Sequence, residues 1–341
     1  MKKSTIKDVA REANVSIATV SRILNNTGKG YSDKTKQHVM QTIEQMGYFP
    51  NAIARSLINN ESGTIGVLFP AVSGMVSAEM LHGIEAAAQV YGKSVFVCNT
   101  LSDPDKTKHY LQLLYEKQVE GVIFASERLT KNFQKIVKQM SVPFVTLSGI
   151  SDLENIPEIK VDDLKATYDA TNYLIKHGHT KLAMVSGPPH DSIAGTPRME
   201  GFKQALTDAN LPCKSSQISW SNAFYFEDGK HAFRSIMKNH PEITAIVAAS
   251  DEMAAGVISE ANAQGIRVPE DVSVIGYDNT KLAAMTVPSL TTVSQEFDVM
   301  GYRAGELLCQ CIIGEKTDSI IMKHKIIERE SVKKTKARGV V

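Results

Sequence analysis

The sequence has few of the features of membrane-spanning, disulfide-stabilised or metal-binding proteins. Its 341 residues contain no apolar run of about 18 residues, the length that a membrane-spanning helix needs. Four cysteines occur, and Cys309 and Cys311 lie two apart on a predicted helix, where they point to different faces. We therefore expect reduced thiols and no metal site. The opening stretch MKKSTIKDVA has no apolar segment of a secretion signal, so we expect a cytoplasmic protein.

Sequence motifs of common enzyme classes are also absent. There is no G-x-S-x-G, no H-E-x-x-H and no G-x-x-x-x-G-K-[ST]. The nine histidines are dispersed, and the tightest pair, His177 and His179, flanks a glycine that ends a predicted helix. The sequence predicts no catalytic residues and no cofactor.

The charge is distributed unevenly along a chain long enough for two or three domains. The formal net charge is +1, yet residues 1–60 carry nine Lys and Arg against four Asp and Glu. A basic N-terminal segment on an acidic remainder suits contact with phosphates by that segment alone. A solvated helix face could give the same pattern.

Apolar spacing in the first 46 residues predicts three short helices. Ile6, Val9, Ala10 and Ala13 form one helical stripe, and Asn14-Val15 makes a break. Ser16 is placed to cap a second helix and Ser32 a third, residues 33–46. The side chains predicted to form the core of the second and third helices are Val20, Ile23, Leu24, Val39, Met40, Ile43 and Met46.

The outward face of the second helix predicts a DNA contact. Arg22 can donate paired hydrogen bonds to guanine, while Ile17 and Ala18 can pack on thymine methyl groups. Short polar side chains suited to holding phosphates are Thr5, Ser16, Thr19, Ser21 and Asn25. The alternative is a plain three-helix bundle that binds a protein partner.

The stretch from Thr5 to Asn25 follows the pattern T-[IL]-x-D-V-A…V-S-x-x-T-V-S-R-x-[IVL]-N. In this it resembles the DNA-binding head of the lactose-repressor/galactose-repressor family. The resemblance implies a homodimeric transcriptional regulator that binds double-stranded DNA at a near-palindromic operator.

Residues 51–59 predict a helix too short to be stable alone, since isolated helices need about 12–15 residues. We expect it to form when two copies pair on DNA. Asn51 can cap it, and Ile53 and Leu57 share one face. The resemblance implies DNA contact by Asn51, Ile53, Ala54 and Leu57, with Leu57 inserted in the minor groove. An ordinary linker is the alternative.

The remainder alternates apolar strands with amphipathic helices in two series, which predicts two lobes of doubly wound parallel sheets. Predicted strands are 64–69, 94–99, 121–126 and 143–148, then 181–187, 216–220, 245–250 and 272–278. Residues 290–295 and helix 297–313 are predicted to return to the first lobe, and a strand near 322–330 to the second. Residues 62–332 resemble the type I periplasmic sugar-binding fold.

The predicted domains follow from this organisation. They are a helix-turn-helix head (1–49), a hinge helix and linker (50–61), an N-terminal lobe (62–161 plus 293–321), a C-terminal lobe (162–292 plus 322–332) and a basic tail (333–341). The tail lacks heptads, so we expect a dimer rather than a tetramer.

Ligands of open α/β sheets bind beyond the carboxyl ends of the strands. The cleft between the two predicted lobes is therefore the expected effector site. The resemblance places Asp278 (motif G-[YF]-D) and Arg198 (R-x-x-G-[FW]) on sugar hydroxyls. Further candidates are Ser73, Ser148, Trp220, Ser250, Gln295 and Phe297. Asp278 could instead cap a turn, Arg198 form a surface ion pair, and Phe297 and Trp220 pack in a core.

These observations predict a repressor of sugar-utilisation genes that is controlled by a small sugar. We expect no cofactor besides this effector. One alternative is a catabolite-control-type regulator activated by a phosphoprotein partner or a sugar-phosphate corepressor. A transport binding protein is the other, and it would need an export signal in place of residues 1–60.

Overall fold

The computed structural model describes residues 4–24, 29–48 and 62–335. The chain divides into two compact units, Met1–Gly63 and Thr64–Val341. No helix within the described ranges is long and apolar enough to cross a bilayer.

The first unit contains three helices around a small core. They are α1 (Ile6–Glu12), α2 (Ile17–Leu24) and α3 (Asp33–Gln45). The buried core side chains are Val9, Ala10, Ala13, Val20, Ile23, Val39 and Ile43. Met40 does not belong to this core as predicted, because its side chain is 47% exposed. It follows Val39 directly in α3, and adjacent helical positions point about 100° apart.

The second unit contains two six-stranded sheets and one small two-stranded sheet. Its strands are β1 (Thr64–Phe69), β2 (Ser94–Asn99), β3 (Val122–Ala125), β4 (Arg128–Leu129), β5 (Phe144–Leu147), β6 (Ile150–Ser151), β7 (Glu158–Val161), β8 (Leu182–Ser186), β9 (Ile218–Trp220), β10 (Ala245–Ala248), β11 (Ser273–Asp278), β12 (Thr291–Ser294), β13 (Ile320–Met322) and β14 (Lys325–Ile327).

The helices of the second unit connect these strands. They are α4 (Met75–Val90), α5 (Pro104–Glu116), α6 (Gln134–Met140), α7 (Asp163–Lys176), α8 (Gly195–Asp208), α9 (Phe226–Asn239), α10 (Asp251–Ala263), α11 (Lys281–Met285) and α12 (Phe297–Ile312). Two short 3₁₀ turns, Lys131–Phe133 and Ser215–Gln217, complete the series.

The two large sheets define two lobes. The first sheet has the order β13-β7-β5-β3-β1-β2 and the second β14-β12-β11-β10-β8-β9. Pairs within the first sheet are parallel, and in the second only β12 and β14 pair antiparallel. Most inner strands of both sheets are buried, which explains their nearly continuous apolar runs, whereas the edge strands are partly exposed.

The chain crosses between the lobes wherever consecutive strands belong to different six-stranded sheets. The predicted return of 290–295 to the first lobe is wrong for the strand itself, because β12 pairs with β11 and β14 in the second sheet. Helix α12 does pack in the first lobe, against α4. Gly83 of α4 lies so close to α12 that an added Cβ would be 1.9 Å from the carbonyl oxygen of Asp298. The short strand β13 of the first sheet was not predicted.

Candidate functional site

The first unit presents the outward face of α2 to solvent. Ile17 is 45% exposed, and Ala18 and Arg22 are also exposed, whereas Thr19 and Ser21 are partly buried. The Arg22 guanidinium lies against Gly30, whose φ is +83°, and a Cβ there would be 2.1 Å from Nη1. The backbone thus leaves space for the arginine that is proposed to read bases.

The hydroxyl groups predicted to hold phosphates also stabilise helix ends. Thr5 caps α1 in a capping box with Asp8, and its Oγ1 donates to Asp8 Oδ2 at 2.7 Å. Ser16 precedes α2, and its Oγ accepts a hydrogen bond from the Thr19 backbone N–H at 3.1 Å. These contacts fix the ends of the helices that frame the exposed face. Asn25, Asn51, Ile53, Ala54 and Leu57 lie outside the described residues.

A cavity of about 270 Å³ lies between the two lobes of the second unit. Most of its lining residues follow the carboxyl ends of strands in both sheets, the edge where open α/β sheets bind ligands. The lining comprises Pro70, Val76, Ser126, Ser148, Asp163, Asp191, Ile193, Ala194, Arg198, Phe224, Ser250, Asp278, Gln295 and Phe297. We call this space the inner cavity.

Arg198, on α8, is the cation of the inner cavity and is 6% exposed. Its Nε donates to Asp163 Oδ1 at 2.7 Å, and its Nη1 donates to the Ala249 carbonyl oxygen at 2.5 Å. The guanidinium stacks on the Tyr277 ring, 3.7 Å from its centroid. Burial lowers the pKa of Arg198, but Asp163, Tyr277 and Asp278 raise it more, so the net pKa lies above the ordinary value. The side chain is a fixed cation with N–H groups left for a ligand.

Asp278 ends β11 and lies near this guanidinium. Its Oδ1 lies 4.0 Å from Arg198 Nη1 and accepts a hydrogen bond from Gln295 Nε2 at 2.8 Å. Its backbone φ of 119° is strained for a residue with a Cβ, a feature that clusters at functional sites. Burial raises the pKa of Asp278 to about 8, and Arg198 opposes this only in part.

A second buried carboxyl, Asp251 at the start of α10, lies behind Asp278. It accepts hydrogen bonds from the backbone N–H of Thr280 at 2.7 Å and from Thr292 Oγ1 at 2.5 Å. Burial raises the pKa of Asp251 to about 6. Ionised Asp251 in turn raises the pKa of Asp278, so the titration of each carboxyl depends on the charge of the other.

The structure brings together six of the eight predicted effector residues around the inner cavity. Ser148, Arg198, Ser250, Asp278, Gln295 and Phe297 line it. The Ser250 hydroxyl already donates to the Phe224 carbonyl oxygen at 3.0 Å and caps α10. Phe297, at 2% exposed, also belongs to the core.

Ser73 and Trp220 do not line the inner cavity. Trp220 ends the edge strand β9, where its side chain is 39% exposed, and Ser73 is exposed in the turn before α4. Phe224, four residues after Trp220, supplies the aromatic ring instead, 5.9 Å from the Arg198 guanidinium.

Three charged or aromatic lining residues were missed from the sequence. Asp163 is the first residue of α7 and accepts from both Arg198 and the Tyr277 hydroxyl, the latter at 2.9 Å. Asp191 accepts from the backbone N–H of Ile193 at 2.8 Å and of Gly195 at 3.1 Å, ahead of α8. Asp191 and Phe224 follow predicted strands that end at the cleft, and that position was the available signal for them. Strand β7, which precedes Asp163, was not predicted, so no such signal was available for Asp163.

A helix-turn-helix unit in one chain with a two-lobed body that encloses a polar cavity defines a ligand-responsive, DNA-binding transcriptional regulator. Two families of known sequences match. "Bacterial regulatory proteins, lacI family" matches residues 5–51, and "Periplasmic binding proteins and sugar binding domain of LacI family" matches residues 62–330.

Individual relatives cover nearly the whole chain. A catabolite control protein A from Priestia megaterium is 38% identical over 331 residues, 96% of this chain and 99% of the relative. The lac repressor dimer bound to operator and the anti-inducer ONPF superposes with a TM-score of 0.88 at 26% identity, covering 97% of this chain and 100% of that one. A transcriptional regulator CelR–cellobiose complex has a TM-score of 0.73 at 27% identity, covering 96% and 100%.

The chain therefore belongs to the LacI family of bacterial DNA-binding transcriptional regulators. The predicted family, fold class and regulatory, non-enzymatic function are confirmed by these matches.

Proposed function

We propose that this protein is a cytoplasmic, homodimeric repressor of sugar-utilisation genes that leaves its operator when a small neutral sugar occupies the inner cavity. The observation that carries the proposal is the group formed by Arg198, Asp278 and Phe224 between the lobes. It combines a fixed donor, an acceptor and an aromatic face within one enclosed space.

This arrangement suits a polyol. Sugar hydroxyls both donate and accept, so a carboxyl group, in either protonation state, and a guanidinium can each bind adjacent hydroxyls. The apolar face of a sugar ring packs on an aromatic side chain, here Phe224. Gln295 holds one oxygen of Asp278, which leaves the other oxygen for the ligand.

The charge of the lining favours a neutral ligand over a sugar phosphate. Asp163, Asp191 and Asp278 face one cation, Arg198, whose Nε already binds Asp163. Even with Asp278 protonated, negative charge exceeds positive charge in the lining. A phosphate would add about two negative charges to a buried site without a counter-ion, which is costly.

The similarity to catabolite control protein A favours a second candidate function. In it, a phosphoprotein partner rather than a sugar would promote operator binding. The two candidates predict opposite results, because a sugar that releases the operator is incompatible with a partner requirement for binding.

The coupling to DNA is proposed from the sequence of residues 50–61. A hinge helix of this length would be stable only when two copies pair on the operator. A sugar that closes the cleft would rotate the N-terminal lobes of the dimer and separate the two hinges, an order–disorder switch. Leu57→Ala should then weaken operator binding and reduce the bend of the duplex; an unchanged bend angle would count against the minor-groove role.

The same proposal assigns the domains and the DNA contacts. The head (1–49), the hinge (50–61) and the two lobes act in sequence, and Arg22 with Ile17 and Ala18 reads bases. Each operator half-site would bind one head, because a two-fold dimer matches a two-fold site.

A ligand screen followed by operator titration tests the function. Thermal shifts would be measured with pentoses, hexoses, disaccharides and their phosphates, and each hit would be added to the protein on an operator selected from random duplexes. We expect a neutral sugar to stabilise the protein and release the operator. Asp278→Ala should bind the operator normally and lose the response, and retained release would remove Asp278 from the site.

A further inference from the structure

A second cavity of about 430 Å³ adjoins the inner one. Its lining comes mostly from the first lobe, from the loops after β2 and β3 and from the 3₁₀ turn Lys131–Phe133. The lining residues on which the argument depends are Glu127, Asn132, Phe124 and Phe133. We call this space the outer cavity.

The inner and outer cavities share part of their lining. Ser126 from the first lobe and Asp191 and Ile193 from the second border both spaces. Ser126 follows β3 with a φ of +57°, a left-handed conformation that turns the chain sharply between the two cavities. The two cavities are therefore neighbouring parts of the same cleft.

The outer cavity has a polar wall held in place. Glu127 Oε2 accepts a hydrogen bond from Thr100 Oγ1 at 3.0 Å, and Thr100 is fully buried. Burial raises the pKa of Glu127, and hydrogen bonds from Thr100 and Ser102 oppose this. One carboxyl oxygen is thus fixed by the protein, and the group as a whole can bind a hydroxyl at the cavity surface.

The other wall is aromatic. Phe133 is 9% exposed and Phe124 is 1% exposed, and their ring centroids are 6.4 Å apart. These rings belong to the core and reach the cavity with little exposed area, so a carboxyl lies beside aromatic rings here as Asp278 and Phe224 do in the inner cavity. The inner cavity is lined by both lobes and the outer cavity mostly by the first, so different residues supply the same pair of features.

A contact between the lobes lies at the border of the outer cavity. Arg128, which lines this cavity, donates from Nη1 to Ser192 Oγ at 3.1 Å, and its Nε donates to Asp152 Oδ1 at 2.9 Å. Ser192 immediately follows Asp191, which borders both cavities. A ligand in the outer cavity would therefore lie beside the Arg128–Ser192 hydrogen bond, which joins the two lobes.

We propose that the outer cavity is a second sugar subsite, so that the effector is a neutral two-ring glycoside such as a disaccharide. This inference rests on the proposed function, because the first ring must occupy the inner cavity. The size of the spaces agrees with it. Ligand pockets typically measure about 300–1,000 Å³. The inner cavity alone falls below this range at about 270 Å³, and the outer cavity adds about 430 Å³.

Calorimetric titration of the full-length protein tests the proposal. The probes are cellobiose, maltose, lactose, trehalose and sucrose, together with glucose, galactose and fructose. We expect at least one disaccharide to bind at least tenfold more tightly than each of its component monosaccharides. Equal affinity for a disaccharide and its component sugars would overturn the second subsite.

Two variants locate the second ring. Asn132→Trp places a bulky side chain in the outer cavity from an exposed position, and Lys135→Trp adds the same ring at an exposed position that lines neither cavity. Asn132→Trp should weaken disaccharide binding at least tenfold and leave monosaccharide binding within about twofold. Lys135→Trp should change neither. Glu127→Gln, which keeps the shape of the side chain, should weaken only the disaccharide.

The outcomes separate the two proposals. If monosaccharides bind and release the operator but Asn132→Trp behaves like Lys135→Trp, the outer subsite is wrong and the sugar-controlled repressor stands. If no sugar of the panel binds, both the outer subsite and the sugar-controlled repressor are overturned.

Discussion

Two arginines show how differently the two units of this protein use the same side chain. Arg22 lies exposed on a helix of the small first unit, whereas Arg198 is 6% exposed and bonded to Asp163 and Ala249 in the second. An arginine for DNA must approach a polyanion and read a base edge. An arginine for a neutral polyol gains from being rigid and desolvated, since its hydrogen bonds are stronger there.

The surroundings of each arginine follow from this difference. The first unit has a core of a few small and branched side chains and gives one helix face to solvent. The second unit has large apolar cores around its sheets and keeps a charged group between the lobes, where Asp163 and Asp278 interact with Arg198. Truncation of Arg22 should therefore reduce DNA binding, and truncation of Arg198 should reduce the stability of the second unit.

The largest effect is expected for Arg198→Ala. Removal of one member of a buried ion pair leaves its partner without a counter-charge and lowers the free energy of unfolding by about 3–5 kcal/mol. The variant should unfold at much lower denaturant concentration, as followed by fluorescence of Trp220, the single tryptophan, which lies in the second unit. The matched control is Arg267→Ala, whose pair with Asp271 is exposed to solvent and should contribute little to stability. Equal losses in the two variants would contradict the comparison.

Arg22→Ala should leave stability nearly unchanged and reduce operator binding. Loss of a bidentate base contact costs about 1–3 kcal/mol of discrimination, roughly tenfold or more in affinity for the selected operator. Competition between operator and random duplex at fixed salt measures this. Arg11→Ala, at an exposed arginine of α1 paired with Asp8, is the control and should change both affinities equally. Operator preference that survives in Arg22→Ala would refute the assignment.

Asp278→Asn should reduce the pH dependence of stability. The raised pKa of about 8 means that the folded protein binds more protons than the unfolded chain between about pH 4 and pH 8. The free energy of unfolding of the wild type should consequently fall as the pH rises through this window. The introduced amide cannot ionise, so the free energy of unfolding of the variant should fall less over this window. The difference should be about 1–2 kcal/mol, because Asp251 also titrates there and its charge affects Asp278. Denaturant unfolding at a series of pH values measures this, and Asp318→Asn, at an exposed carboxyl, should keep the wild-type slope.

Thr5→Ala should have the smallest effect of these four, about 1 kcal/mol on the first unit, because it removes the capping box with Asp8. Circular dichroism at 222 nm would detect earlier loss of helix, while Trp220 fluorescence should follow the wild-type curve. A shift of the Trp220 fluorescence transition would contradict this expectation, because it would show that the Thr5 cap also stabilises the second unit.

The sequence predicted the parts of the structure that local patterns determine. β1 and β2 have the bounds that their apolar runs predicted, and Ser16 and Ser32 cap the helices that they were predicted to cap. Arg198 and Asp278 were predicted to lie at the cleft because each lies in a short motif, and both line the inner cavity.

The missed parts depend on contacts between distant segments. Strand β12 is a short apolar run that could pair in either lobe, and only its register with β11 and β14 decides. Asp163 meets Arg198 across 35 positions of sequence, and no periodicity predicts that contact. The sequence indicated Trp220 rather than Phe224, because only the turn after β9 determines which ring reaches the cavity.

Operator titration with and without sugar tests the central claim most directly. Fluorescence anisotropy of a labelled duplex, selected by the protein from random sequences, would be recorded at fixed salt with wild type and with Asp278→Ala. The account predicts that a saturating neutral sugar weakens wild-type binding at least tenfold and leaves Asp278→Ala unaffected. Equal affinity for the operator with and without every sugar that binds the protein would contradict it.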